Sequence, residues 1–89
     1  MNPITPFNIL KHELIGLNVH VEKSPCKSYV CIEGEVVDET RNMLYIESGL
    51  RIKAIPKAVC KFVFTLSNGV KVEVDGIKLV GRPEDRVKR

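Results

Sequence analysis

Eighty-nine residues, 44% hydrophobic and 28% charged with a net charge of +3, describe one small folded domain rather than a disordered, collagen-like or low-complexity chain. At this size folding hides only about 60–65% of the surface that the unfolded chain exposes, so one modest core is all that fits. The sequence holds no run of eighteen apolar residues and no basic-then-apolar leader, which leaves out a helical membrane span and a secretory signal and makes the cytoplasm the expected compartment.

The first predicted element is a short helix in TPFNILKHELIG. Thr5 can cap it, Pro6 suits its first position, and Gly16 can end it in a left-handed turn. Phe7, Leu10 and Leu14 recur at helical spacing and form one apolar stripe, with Lys11 and His12 to its side. From residue 17 the period becomes that of a strand, with Leu17, Val19 and Val21 alternating with Asn18, His20 and Glu22 until Ser24-Pro25 interrupts.

A second strand is predicted from about Tyr29 to Val37, turning over Asp38-Glu39-Thr40-Arg41-Asn42. Gly34 stands alone in it and marks a bend, because a residue without a side chain relieves crowding at a barrel corner. Met43 to Glu47 forms a third strand with Leu44 and Ile46 inward. Residues 50–55 alternate again, Arg51 and Lys53 on one side, until Pro56. VCKFVFTL is the richest core strand, with Cys60, Phe62, Phe64 and Leu66 on one face. Asn68-Gly69 between alternating hydrophobics is a strong hairpin signal, and Val70, Val72 and Val74 return along it. Asp75-Gly76 makes another turn before a predicted strand at Ile77–Val80. GRPEDRVKR ends the chain with acids before bases, the order that suits a short helix.

The predicted fold is therefore mainly β. It is a small, strongly bent antiparallel barrel of six or seven strands, Sm-like or SH3-like, with a short helix at the N-terminus and a helix or tail at the C-terminus. The whole chain reads as one domain: an arm over residues 1–16, a barrel over 17–80 and a basic tail over 81–89.

Charge is unevenly distributed. Residues 32–47, IEGEVVDETRNMLYIE, carry Glu33, Glu35, Asp38, Glu39 and Glu47 against Arg41 alone, a net −4, whereas residues 48–89 hold ten Lys or Arg and four acids, a net +6. So polarised a chain favours a polyanion such as nucleic acid. Glu33 and Glu35 fall on the outer face of a strand, and Asp38 and Glu39 are placed in the turn. No cleft of converging carboxylates, no His beside a Ser or Cys, and no glycine-rich phosphate loop is present, so autonomous catalysis is not expected. Cys26, Cys31 and Cys60 lack zinc or redox spacing and read as free thiols, the last two as small core residues. No metal or other cofactor is expected on the chain. At 6% aromatic with no Trp, the sequence suits neither a proline-reading groove nor base stacking on single strands.

The order Gly34, Val36, Asp38, Asn42, Leu44 resembles the first signature of Sm-like proteins. More specifically, the strings ITPFNILKHELIGL, GEVVDETRNMLYIE, IPK followed by the Phe62-Val63-Phe64 strand, and VDGIKLVGRPEDRVKR look like archaeal ribonuclease P protein component 1, a family related to a eukaryotic subunit shared by ribonucleases P and MRP. The likeness runs from about Ile4 to Arg89. Cys31 stands where that family often has glycine, and Met43 where threonine is common. A clear second Sm signature is missing, so the likeness does not extend to the Sm ring or its uridine pocket.

The resemblance implies a non-catalytic, RNA-binding subunit of the ribonucleoprotein that removes 5′ leaders from precursor tRNA, with magnesium on the RNA subunit performing the hydrolysis. It implies ribonuclease P RNA, a small zinc-containing protein subunit and other ribonuclease P proteins as partners, and precursor tRNA as an indirect one. Lys11, Arg51, Lys53, Lys57, Lys61, Arg82, Arg86, Lys88 and Arg89 are then the candidate RNA contacts. Phe7, Leu10, Leu14, Val30 and Ile32 are the candidate partner contacts. Gly16, Gly34, Asp38, Asn42, Gly69 and Gly76 are given structural roles. The alternative is an Sm-like or SH3-like interaction module that binds another RNA or only protein.

Overall fold

Apolar residues at every second position along six short strands leave one face of a sheet that has to be covered, and here the sheet covers it by curling on itself. The computed structural model describes residues 9–82 and 85–86. It consists of a 3-10 turn at Ile9–Lys11, strands β1 (Asn18–Lys23), β2 (Glu33–Glu39), β3 (Met43–Ser48), β4 (Arg51–Pro56), β5 (Lys61–Thr65) and β6 (Lys71–Asp75), and a second 3-10 turn at Gly76–Leu79. All neighbours are antiparallel, in the order β4-β3-β2-β1-β5-β6. Val19, Val21, Val36, Leu44, Ile46, Ile55, Phe62, Phe64 and Val74, drawn from all six strands, share one buried cluster. Residues of the two outermost strands can meet in one cluster only if the sheet bends into a barrel.

Two local features shape that bend. Gly34 lies opposite Val19 on the concave face, and a Cβ there would sit 1.9 Å from the Glu47 carbonyl oxygen, so β2 and β3 can pass this closely only at a glycine. Further along, the β2–β3 register shifts between Val36 and Asp38. Val36 opposes Ile46, but after the bulge Asp38 opposes Tyr45 and Glu39 opposes Leu44. One extra residue has exchanged the faces, which sends Glu39 inward beside a fully buried leucine.

Several predicted elements differ. The second strand begins at Glu33 rather than near Tyr29, because residues 26–32 wind through consecutive turns in which the Tyr29, Val30 and Ile32 amides donate to the Cys26, Lys27 and Tyr29 carbonyls. Cys31 closes this segment with φ at 68°, a left-handed conformation that is costly for a residue bearing a Cβ, and its side chain is exposed rather than in the core. Cys31→Gly should therefore raise stability by about 0.5–1 kcal/mol, the reverse of the usual effect of introducing glycine, while Cys31→Ala should be neutral. Urea midpoints for the two variants check this.

The predicted strand at Ile77–Val80 is instead the second 3-10 turn. The Gly76 amide donates to the Cys60 carbonyl at 2.9 Å, and the backbone packs so closely that a Cβ on Gly76 would lie 1.8 Å from the Lys57 oxygen, which turns the chain out of the ladder. The predicted N-terminal helix is reduced, among the described residues, to the single turn at Ile9–Lys11. Beyond it the chain extends so that Leu14 enters the core, and the Gly16 amide is bonded to the Val36 carbonyl at 2.8 Å. A continuing helix could not deliver both Ile9 and Leu14, each buried, to the same barrel end while reaching β1. At the other terminus the Asp85 and Arg86 amides both donate to the Arg82 carbonyl, forming a helical turn.

Candidate nucleic-acid interface

Three charged side chains meet inside the barrel where the N-terminal segment, the β2–β3 turn and the C-terminal turn converge. Glu39, turned inward by the bulge, receives the Lys57 ammonium on Oε2 at 2.6 Å and the Arg86 guanidinium on both oxygens, Nη2 reaching Oε1 at 3.2 Å. All three side chains are buried. Lys57 Nζ also donates to the carbonyls of Thr40 at 2.7 Å and Gly81 at 3.1 Å. Arg86 Nε donates to Leu10 O at 3.1 Å, Nη2 to His12 O at 3.0 Å, and Nη1 to Leu79 O and Gly81 O at 3.2 and 2.9 Å. Burial holds the Lys57 ammonium below its ordinary range; the Glu39 carboxylate opposes that shift and the nearby Arg86 charge adds to it. Two cations share one carboxylate, and no buried polar side-chain atom among the described residues lacks a partner.

This cluster corrects part of the predicted RNA-contacting set. Lys57 and Arg86 cannot face a partner, since their relative exposures are 0% and 1% and every donor is used inside the fold. Lys61 is half-buried on β5 with its ammonium 2.8 Å from Glu73 and 3.9 Å from Asp75; the Glu73 hydrogen bond holds its pKa above the ordinary lysine value. Its charge is therefore locally matched. Arg51, Lys53 and Arg82 are exposed and make no ion pair among the described residues. They are not contiguous, however. Arg51 and Lys53 lie toward the β3–β4 hairpin, whereas Arg82 follows Gly81, whose carbonyl meets Lys57 Nζ just past the opposite end of β4. Lys88 and Arg89, and the side chain of Lys11, lie outside the described residues.

The convex face is acidic. Glu35 stands directly opposite Glu47 across β2 and β3, an arrangement of like charges that opposes pairing unless each is well solvated. Glu33 is beside them, 3.8 Å from His20 Nδ1. These carboxylates point outward along the strands and do not converge on one cleft. Of the predicted partner residues, Leu14 is a correction: it is fully buried in the domain's own core and has no surface to offer. Leu10 and Ile32 are half-buried and pack against that core, Val30 is half-buried in the turn segment, and Phe7 lies outside the described residues.

Two groups at this junction escape a reading of the sequence. Glu39 is one: the polar run Asp38 to Asn42 reads as a turn, whereas Glu39 is the last residue of β2, and nothing in the local string announces the bulge that turns it inward. The other is Arg41, counted within a stretch whose net charge is −4. In the fold it stands at the barrel rim beside Gly81, whose amide donates to the Arg41 carbonyl at 2.7 Å.

Comparison with known proteins agrees with this geometry. The family described as ribonuclease P/MRP, subunit p29, matches residues 7–89. The chain is 53% identical over 87 residues to ribonuclease P protein component 1 of Methanocaldococcus jannaschii, covering 97% of this chain and 90% of that protein. It is 46% identical over 86 residues to the Methanosphaera stadtmanae protein of the same name, covering 97% and 92%. The solved structure of Mth11, a homologue of human RNase P protein Rpp29, superposes with a TM-score of 0.62 at 47% identity over 84% of this chain and 97% of that one. A bent six-stranded barrel, these matched strings along nearly the whole chain and an aligned structure place the chain in the ribonuclease P/MRP subunit p29 family.

Proposed function

We propose that this chain is a non-catalytic subunit of ribonuclease P that grips the enzyme's RNA through backbone phosphates and supports it while the RNA and its magnesium ions cleave the 5′ leader from precursor tRNA. The observation that carries the reading, beyond family membership, is the segregation of charge. Glu33, Glu35 and Glu47 line the convex strands and Glu39 is neutralised inside, while Arg51, Lys53 and Arg82 are exposed and make no ion pair among the described residues. Lysine and arginine on phosphates position a protein without reading bases, which suits a domain with few aromatic side chains. Leu10, Val30 and Ile32, half-buried at the arm and the 26–32 turns, are the docking side for the small zinc-containing subunit. The cytoplasm is the compartment in which the assembly works, and no helix among the described residues is long and apolar enough to cross a membrane.

The Arg51→Ala, Lys53→Ala double variant tests the reading. Removing one cation from a phosphate should reduce the slope of log affinity against log salt by about 0.7–0.9, so removing the pair should reduce it by roughly 1.5, with the melting temperature unchanged. In reconstituted precursor-tRNA cleavage, omission of the chain should lower activity at limiting magnesium, and the double variant should fall between omission and wild type. A wild-type protein whose binding to ribonuclease P RNA shows no dependence on salt would overturn the proposal.

A further inference from the structure

We propose that Arg41 and Arg82 form a phosphate-binding fork at the barrel rim, a contact separate from Arg51 and Lys53. The proposal rests on the RNA-binding reading above and adds to it a defined site. The hydrogen bond from the Gly81 amide to the Arg41 carbonyl at 2.7 Å lays the β2–β3 turn alongside the segment that carries Arg82. Both arginines are exposed, and neither side chain forms a hydrogen bond or ion pair among the described residues.

What lies beneath them distinguishes this place from an ordinary solvated surface. The Lys57 ammonium touches the carbonyls of Arg41 and Gly81, at 3.4 and 3.1 Å, and Arg86 Nη1 reaches the same Gly81 oxygen at 2.9 Å. Glu39 alone balances these two cations, so the buried cluster carries one net positive charge directly under the rim. In the interior that charge is poorly screened, and its field emerges where Arg41 and Arg82 stand. Of the five acids in the stretch that surrounds Arg41 in sequence, Glu33, Glu35 and Glu47 belong to the convex strands and Glu39 is consumed inside. Asp38 remains near, as does Asp85 on the other segment, and neither makes an ion pair among the described residues. Two guanidinium groups over a net cationic base suit the oxygens of a phosphodiester, which planar N–H forks bind in pairs.

Binding to the cognate ribonuclease P RNA transcript, measured across a salt series, tests the fork with Arg41→Gln, Arg82→Gln, Arg41→Lys and the double glutamine variant. Each single glutamine variant should flatten the logarithmic salt slope by about 0.7–0.9 and weaken binding roughly three- to tenfold near 0.15 M salt, with an unchanged melt. Arg41→Lys should keep the slope and lose part of the affinity, because an ammonium replaces the charge but not the paired donors. If Arg41→Gln keeps wild-type affinity and slope while Arg51→Ala with Lys53→Ala lowers both, the fork is refuted and the RNA reading stands. Absence of a salt slope in the wild type would defeat both. Should Arg41→Gln leave RNA binding intact but weaken capture of another ribonuclease P protein, the arginines serve an acidic protein segment and the phosphate assignment is wrong.

Discussion

Glu39→Ala should destabilise the domain by about 3–5 kcal/mol, the largest effect expected for any single charged residue in it. The cost arises from what the substitution leaves behind. Lys57 and Arg86 would remain buried, each with its backbone acceptors but without the carboxylate that both share. Two adjacent cations in a poorly polarisable interior repel one another, and the lysine, already held below its ordinary pKa by burial, would lose the interaction that opposes that shift. Glu39→Gln should cost less than Glu39→Ala, because its amide oxygen still accepts from the buried cations, whereas replacing all three residues by apolar ones would strip the Leu10, His12, Thr40, Leu79 and Gly81 carbonyls of their donors. Urea denaturation with a constant m-value separates these outcomes. A Glu39→Ala stability within about 1 kcal/mol of wild type would mean that water enters and solvates the cluster.

Gly34→Ala should destabilise by at least about 3 kcal/mol, although adding a single methyl group at a glycine more often stabilises by ~0.4–1 kcal/mol through the unfolded chain. The new Cβ would meet the Glu47 carbonyl oxygen at 1.9 Å, the Glu47 carbonyl carbon at 2.8 Å and Ile46 Cγ2 at 3.2 Å. The first two are backbone atoms of the paired strand, so no rotamer change relieves the clash and β2 must move away from β3. Amide protection that falls first along β2 and β3 would locate the damage, and an unchanged denaturation midpoint would remove the argument. Gly49 provides the comparison: a Cβ there meets nothing within 4 Å, so Gly49→Ala should register only the cost of its left-handed φ of 63°.

The strands were legible because alternation is a local property. Val19 and Val21, Leu44 and Ile46, and Phe62 and Phe64 are two residues apart in sequence and necessarily share a face when the chain is extended. The same pattern failed at Ile77–Leu79, where close packing of Gly76 on the Lys57–Cys60 loop overrides an apolar run and winds it into a 3-10 turn. It failed again at Leu14, whose spacing from Leu10 describes a helix face but whose burial depends on where the barrel end closes.

By itself the sequence determined a mainly β barrel, its hairpin at Asn68-Gly69, the likeness to the p29 family carried by strings along nearly its whole length, and an excess of positive charge in the later half. Only the tertiary structure decided which charges are available to a partner. A one-residue bulge between Val36 and Asp38 turns Glu39 inward, and closure of the barrel brings Lys57 and Arg86, 18 and 47 positions away, onto its carboxylate. Net charge along a chain is a sum over residues, whereas exposure depends on packing between segments distant in sequence. For that reason two of the predicted RNA-facing cations became core, and Arg41, hidden among acids in the string, emerged at the rim.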